Sequence, residues 1–274
     1  MAGMASQSLA QLSRRAVVAL GGPDWRDFLQ NLITQDVATL APGEIRFGAL
    51  LTPQGRLLYD LFAHGREDGC LIDCEADHRE ALVQRLAMYR LRAKVTIAPD
   101  DAPVLALWGG EAAPEGWARD PRLVTLGWRG IGIEPPPGAI AVDEAAYEAH
   151  RLALGVPGPA DYGSEKTYPI EANFDLLAGI DFRKGCFVGQ ETTSRMKRRG
   201  QIRNRMVPIA FDGEPPAFGA ELLAGQLRAG EALGAHGERA MALLRLDRLE
   251  AGPLTFGDGR PWRPLWPDWL EREG

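Results

Sequence analysis

Apolar and polar positions alternate along the first hundred residues in two rhythms. Arg15 to Leu20 is a short apolar run closing on Gly21 and Gly22, as a strand does. After Pro23 and Asp24, the apolar residues Phe28, Leu29, Leu32 and Ile33 recur at helical spacing until Pro42 and Gly43 break the pattern. Arg46 to Leu51 and Leu57 to Ala63 then read as two strands. They are joined by Thr52-Pro53-Gln54-Gly55, whose Pro and Gly suit a tight hairpin turn. A third strand is expected from Gly69 to Cys74. Asp77 and Glu80 have capping-box spacing for a helix running to about Ala93 that buries Leu82, Leu86 and Tyr89. Lys94 to Ile97 leads out as a strand.

Pro99, Asp100, Asp101 and Pro103 mark a boundary. Short strands are expected beyond it at Val104 to Trp108, Leu123 to Trp128 and Ile131 to Glu134, with a break at Pro135-Pro136-Pro137-Gly138. Residues 143 to 154 read as a helix with Tyr147, Arg151 and Leu154 on one face. From about residue 206 the pattern changes to short strands between Gly and Pro, one of them from Leu243 to Leu246, which suggests a small antiparallel barrel or sandwich. The expected fold class is therefore α+β in three parts: an α/β unit over residues 1–99, a second over 100–205, and a C-terminal β-barrel over 206–274.

At 274 residues, with 45% hydrophobic and 25% charged, the chain is long enough for several packed cores. A net charge of -6 excludes a protein that coats a polyanion with its whole surface. The cations are concentrated instead. Residues 183 to 205 hold eight Lys or Arg against one acid, Glu191, so an anion site, if present, is local. Cys70, Cys74 and Cys186 cannot build a disulfide framework, and no apolar run of about eighteen residues offers a membrane span. The cytoplasm is the expected compartment. The acid-free opening MAGMASQSLAQLSRRAVVAL keeps the mitochondrial matrix as the alternative, although cleavage there would remove the strand at Arg15 to Leu20.

Residues 181 to 200 carry the chemistry. Gly185 and Gly189 bracket Cys186, and Lys184 beside it would favour a thiolate if it lies close in space. Two readings stay open for Cys186, a structural thiol in a core or a functional one. Glu191 and Arg195 are spaced four apart. They could form a surface pair, or the carboxylate could accept two hydrogen bonds from an amino-pyrimidinone edge while the arginine binds a ligand carboxylate. No metal site is expected: Cys70 and Cys74 offer only two soft ligands, and His64, His78, His150 and His236 show no paired spacing.

Lys184-Gly185-Cys186-Phe187-Val188-Gly189-Gln190-Glu191, followed by Arg195 and Lys197 to Gly200, resembles the signature of the folate-binding YgfZ family. These are relatives of the glycine-cleavage T-protein, the aminomethyltransferase, and of mitochondrial iron-sulfur assembly factors. Phe28-Leu29-Gln30, Thr34-Gln35-Asp36-Val37, the stretch from Gly48 through Arg56, Leu86 to Val95 and Leu152 to Pro157 are similar to other family segments in the same order. The resemblance implies a ring of two ferredoxin-like α/β units and a barrel around a central channel holding tetrahydrofolate. Asp60, Tyr147, Arg151, Gln190, Glu191 and Arg195 would bind that folate, and Cys186 with Lys184 would supply a functional thiol at the channel mouth. It implies an accessory role in iron-sulfur cluster assembly or repair. The partners would be client or assembly proteins, with radical enzymes that thiolate tRNA among the clients; direct tRNA binding and membrane association are not expected. In the T-protein a carboxylate pair follows the hairpin, and here Tyr59 takes one of those positions while Asp60 points to the opposite face. Aminomethyl transfer is therefore not expected, and folate-dependent one-carbon transfer with Asp60 as base is the alternative reading.

Overall fold

The computed structural model describes residues 7–110, 114–198, 200 and 202–270. In chain order the strands of the first half are β1 (Ser8–Gln11), β2 (Arg15–Gly21), β3 (Ile45–Leu51), β4 (Leu57–Arg66), β5 (Gly69–Glu75), β6 (Thr96–Asp100), β7 (Val104–Trp108), β8 (Ala118–Arg119), β9 (Trp128–Ile131) and β10 (Ile140–Val142). The second half adds β11 (Asn204–Phe211), β12 (Glu221–Ala224), β13 (Leu227–His236), β14 (Arg239–Arg245), β15 (Leu254–Phe256) and β16 (Trp262–Pro264). The α-helices are α1 (Trp25–Gln30), α2 (Arg79–Arg90), α3 (Glu144–Ala153), α4 (Pro159–Tyr162) and α5 (Gln190–Arg198).

These strands make three sheets, ordered β3-β4-β5-β2-β6, β10-β1-β7-β9-β8 and β15-β12-β13-β14-β11-β16. The expected α+β class is what forms, although a bound at residue 99 does not separate the first two sheets, since β1 lies in the second. In the third sheet the two outer strands approach each other through a bridge between Thr255 and Pro261, so the antiparallel sheet nearly closes into a barrel. Strand β1, which lies before the first strand read from the pattern, joins the second sheet by pairing with β7 and β10. It thus ties the chain's start to its middle. Residues 1–6 of the stretch weighed as a targeting segment lie outside the described residues, whereas Ser8–Gln11 and Arg15–Gly21 are strands of two different sheets.

Several local expectations are corrected. The helix after β5 begins at Arg79 behind a 3₁₀ turn (Ala76–His78), and its N-cap His78 makes no side-chain cap bond, so the capping box at Asp77 and Glu80 does not form. Its inward residues are nonetheless Leu82 and Leu86, both buried. Strand β6 runs through Pro99 and Asp100, where a boundary was expected. It is an edge strand, so the missing N–H of Pro99 faces no partner. Val124–Leu126 is a 3₁₀ turn rather than strand, and β9 starts at Trp128 and ends at Ile131 because Gly127 and Gly132 turn the chain with φ of 90° and 59°. The strand placed at Leu243 to Leu246 begins earlier, at Arg239, and gives way to a 3₁₀ turn at Leu246.

Strand parity decides what the first sheet presents on each side. Val18, Leu20, Ile72, Cys70, Cys74, Leu61 and Ala63 face α1 and α2 and pack with Leu29, Leu82 and Leu86. The opposite face meets the second sheet, where Ala10, Val17, Leu71, Val104, Ala106 and Tyr147 share a core. Beside that core the two sheets bury charges. Arg15 on β2 binds both carboxylate oxygens of Asp60 at 3.0 and 2.9 Å and Asp73 Oδ1 at 2.6 Å. Arg129 on β9 pairs with the other oxygen of Asp73, and Arg122 forms two parallel hydrogen bonds to Asp120 at 3.0 and 2.7 Å. All three guanidiniums lie over the ring of Phe62, at 5.4 Å for Arg15, 4.8 Å for Arg122 and 3.9 Å for Arg129.

The charges in this cluster balance, three arginines against three aspartates. Burial alone would raise the Asp73 carboxyl, but Arg129 and Arg15 outweigh it and hold its pKa down at about 2. Burial also works against the Asp120 carboxylate, and Arg122 more than compensates, so its pKa too lies below the usual range. His64, facing the same cluster, is pushed down to about 4 by burial and is neutral at pH 7. Its Nε2 is buried without a hydrogen-bond partner among the described residues.

An unfolded aspartate titrates near 3.9, so the stabilisation from Asp73 is complete above about pH 4 and is lost as the pH falls through about 2. Denaturant titrations at pH 6 and pH 3 should show that loss. In Asp73→Asn, which leaves Arg129 and Arg15 without their shared carboxylate, stability at pH 7 should drop by about 3–5 kcal/mol. The acid-dependent part should shrink with it; an unchanged acid profile in the variant would contradict this account.

Candidate functional site

The residues expected to surround one ligand fall in two separate places. Asp60, Tyr147 and Arg151 line an interior cavity together with Arg14, Glu75 and Glu148. Gln190 and Glu191 line a different, outward-facing cleft with Ser194 and Arg198. Arg195 is exposed on α5, and so is Cys186 in the loop before it.

In the interior, each expected folate contact is already engaged by the protein itself. Both oxygens of Asp60 accept from Arg15. The Tyr147 hydroxyl accepts from Arg122 at 2.8 Å and Arg129 at 3.2 Å. Arg151 is spent on Glu148, Asp161 and the carbonyl of Val156. The cavity that remains is about 50 Å³. A cavity that admits benzene is about 150 Å³, and a pterin is larger than benzene. The interior residues therefore do not fit tetrahydrofolate, because their polar groups are engaged by the protein itself and the cavity between them is too small. Tyr59 points away, into the core beneath α2, with its ring 5.2 Å from His78. The parity argument that separates it from Asp60 thus holds. Arg15, Phe62, Asp73, Asp120, Arg122 and Arg129 were missed by the sequence reading. For Arg15 and Asp73 the signal is a charge at an inward position of an apolar strand, as in Arg15-Ala16-Val17-Val18 and Leu71-Ile72-Asp73-Cys74.

The loop of residues 184–191 is built by three anchors. Lys184 donates to the carbonyls of Gln30, Ile33 and Gln35 at 2.7, 2.7 and 2.9 Å, closing the end of α1 and the turn after it. Burial lowers its pKa to about 8, against the pull of Asp36 and Asp181. All three ammonium protons are thus directed at carbonyls, and Lys184 is an anchor for the loop rather than the partner of a thiolate. Phe187 is buried in the core shared by β3, β4 and the barrel, and Val188 packs against the core beneath α1 and α2. The third anchor is glycine against glycine. Gly189 has φ of 79°, and a Cβ there would stand 2.6 Å from the carbonyl oxygen of Thr52 and 3.0 Å from Cα of Gly55 in the β3–β4 turn. That turn has the expected form, with Gly55 N–H donating to Thr52 O at 2.8 Å.

Between these anchors Cys186 is exposed, whereas Cys70 and Cys74 are buried. Burial pushes both of those thiols up to about 12. Of the two open readings of Cys186, the buried structural thiol is excluded. Glu191 and Arg195 form no ion pair among the described residues. Of the clustered cations, Arg205 is buried on Asp175 at 2.9 Å, Lys197 reaches the same carboxylate at 3.2 Å, and Arg199 lies outside the described residues. Among the described residues, no group of three or more His, Cys, Asp or Glu is arranged to hold a metal, and no helix is long and apolar enough to cross a membrane.

Two relatives decide the family. The mouse (Mus musculus) iron-sulfur cluster assembly factor IBA57, mitochondrial, is 31% identical, with 89% of this chain and 79% of its own length covered. Its human counterpart is 33% identical with the same coverage. The chain belongs to the IBA57 family of iron-sulfur cluster assembly factors. The YgfZ likeness of the signature is to a bacterial family related to this one. An IBA57 homologue from Mycosarcoma maydis is 34% identical over 76% of this chain, which spans 59% of that relative's length. Residues 203–272 match the family described as CAF17, C-terminal beta-barrel domain, in agreement with the third sheet. The glycine cleavage system aminomethyltransferase T from Bartonella henselae superposes with a TM-score of 0.77 over 98% of this chain and 88% of its own. At 17% identity that likeness shows the fold.

Titration of the purified protein with tetrahydrofolate, followed by calorimetry, should show no saturable heat up to millimolar ligand; a micromolar Kd abolished by Asp60→Asn would contradict the occupied interior. Gly189→Ala should lower stability by about 1–3 kcal/mol through strain and collision. Gly185→Ala should be near neutral, since nothing lies within 4 Å of its Cβ position and its φ is not left-handed. Thermal unfolding of the two variants checks the pair, and equal losses would contradict it.

Proposed function

We propose that this chain acts in iron-sulfur cluster assembly or repair through the thiol of Cys186. The observation that carries this reading is the contrast among the cysteines. Two are buried with pKa values raised to about 12, and the third is held exposed on a loop fastened by Lys184, Phe187 and Gly189. A thiolate is a soft ligand suited to iron or to sulfur transfer. A [4Fe-4S] cluster normally takes four thiolates, so in this reading the cluster is cargo, and its other ligands come from an assembly or client protein. The clients are cluster enzymes, among them the tRNA-thiolating radical enzymes that the signature's resemblance implies. The relatives' names carry the word mitochondrial, which supports the matrix over the cytoplasm as the compartment.

A folate-dependent step is not part of this reading, because the interior does not accommodate the ligand. The alternative of one-carbon transfer would use Asp60 as base, and both of its oxygens are held by Arg15. In a strain lacking the gene, Cys186→Ser should accumulate to wild-type level yet leave the activity of a [4Fe-4S] enzyme at the level of the empty vector. Full restoration by the variant would remove the thiol from the function.

A further inference from the structure

The thiol sits beside a charged face that the fold does not use. Helix α5 turns Thr193 into the protein and presents Glu191, Arg195 and Arg198 outward at positions i, i+4 and i+7 of one stripe. Arg183, Arg195, Arg198 and Arg203 are exposed and make no ion pair among the described residues, in a chain whose net charge is -6. They contrast with Lys184 and Arg205, which are consumed internally. Phe182, next to Arg183 in the chain, is 36% exposed, has Lys197 5.7 Å above its ring, and lines a cleft with Glu191, Ser194 and Arg198. Arginine and exposed aromatic side chains are residue types enriched in protein-binding surfaces. At Gly185 the surface next to the thiol carries no side chain, although neither packing nor backbone conformation requires glycine there.

From these observations we infer that the exposed face of α5, with Phe182 and the bare backbone at Gly185, is a docking surface for a partner protein with an acidic patch, which it steers onto Cys186. This rests on Cys186 being the working thiol. Charge complementarity selects the partner. Arg195 and Arg198, one turn apart on α5, with Arg183 beside Phe182 in the chain, match a compact acidic patch, whereas RNA would have to lie along a body that is otherwise acidic. Opposite charge raises encounter rates by about 10- to 1000-fold at low salt, and the gain fades as salt screens it.

The test uses the full chain and peptides bearing a pyridyl disulfide. The Cys186 thiolate attacks the peptide's sulfur, a mixed disulfide forms, and pyridine-2-thione leaves and is read by absorbance. At low salt a Glu-rich peptide should react about tenfold faster than a neutral one of equal length, with the advantage lost in high salt. Arg195→Glu/Arg198→Glu should abolish or invert that preference, read as the ratio of acidic to neutral peptide rates within the same variant. Gly185→Val, whose Cβ position has nothing within 4 Å, should slow the acidic peptide selectively. Equal rates for acidic and neutral peptides in the wild type would overturn the inference. So would protection of Cys186 by a short single-stranded RNA at concentrations where the acidic peptide gives none, or salt-sensitive dimerisation in sedimentation that masks the thiol. A neutral peptide that fails to react at all would instead remove the thiol reading on which the inference rests, so the two failures are distinct.

Discussion

Phe62 has a guanidinium over its face at 3.9 Å and two more within 5.4 Å, and Asp60, Asp73 and Asp120 bind those three arginines. The arrangement constrains everything around it. Charges this deeply buried are tolerable only when paired and hydrogen-bonded, so neither sheet can shift without leaving a charge exposed to low dielectric. The cluster therefore fixes how the first two sheets meet. The cavity it lines is only about 50 Å³.

The shared fold with an aminomethyltransferase and the membership in an assembly-factor family are reconciled by that cluster. The scaffold places a loop, a hairpin turn and a barrel around a centre, and the chemistry can be read only from what occupies each place. Here the centre is neutralised by the protein's own side chains, while the loop after Lys184 holds a thiol outward. The same hairpin contributes to both. Its strand β4 sends Asp60 and Phe62 inward, and its turn receives Gly189 and so sets where the thiol stands.

Much of this was legible in the chain. The hairpin at Thr52 to Gly55, the strand at Arg15, the helix around Tyr147 and the opposite orientation of Tyr59 and Asp60 all follow from local pattern, because turn chemistry and strand parity are local properties. Strand β1 was not legible, since four residues with little alternation acquire their meaning from β7 and β10, far along the chain. The division of the candidate residues was hidden for a similar reason. Arg151 and Tyr147 share a helix face with the spacing of a ligand site, but only the fold shows that Asp161, Arg122 and Arg129 reach them first. The basic cluster was visible as composition. Which of its members are anchors, such as Lys184 and Arg205, and which are left at the surface depends on carbonyls and carboxylates contributed from elsewhere.

The interior is closed by its own ion pairs, and the thiol proposed to do the work stands on the outer loop. Labelling of native protein with a maleimide, followed by mass mapping with and without tetrahydrofolate, tests both halves at once. The account predicts rapid modification of Cys186, protection of Cys70 and Cys74 until the protein unfolds, and rates indifferent to folate. Labelling of Cys70 or Cys74 in the native state, or a folate-dependent change at Cys186, would contradict it.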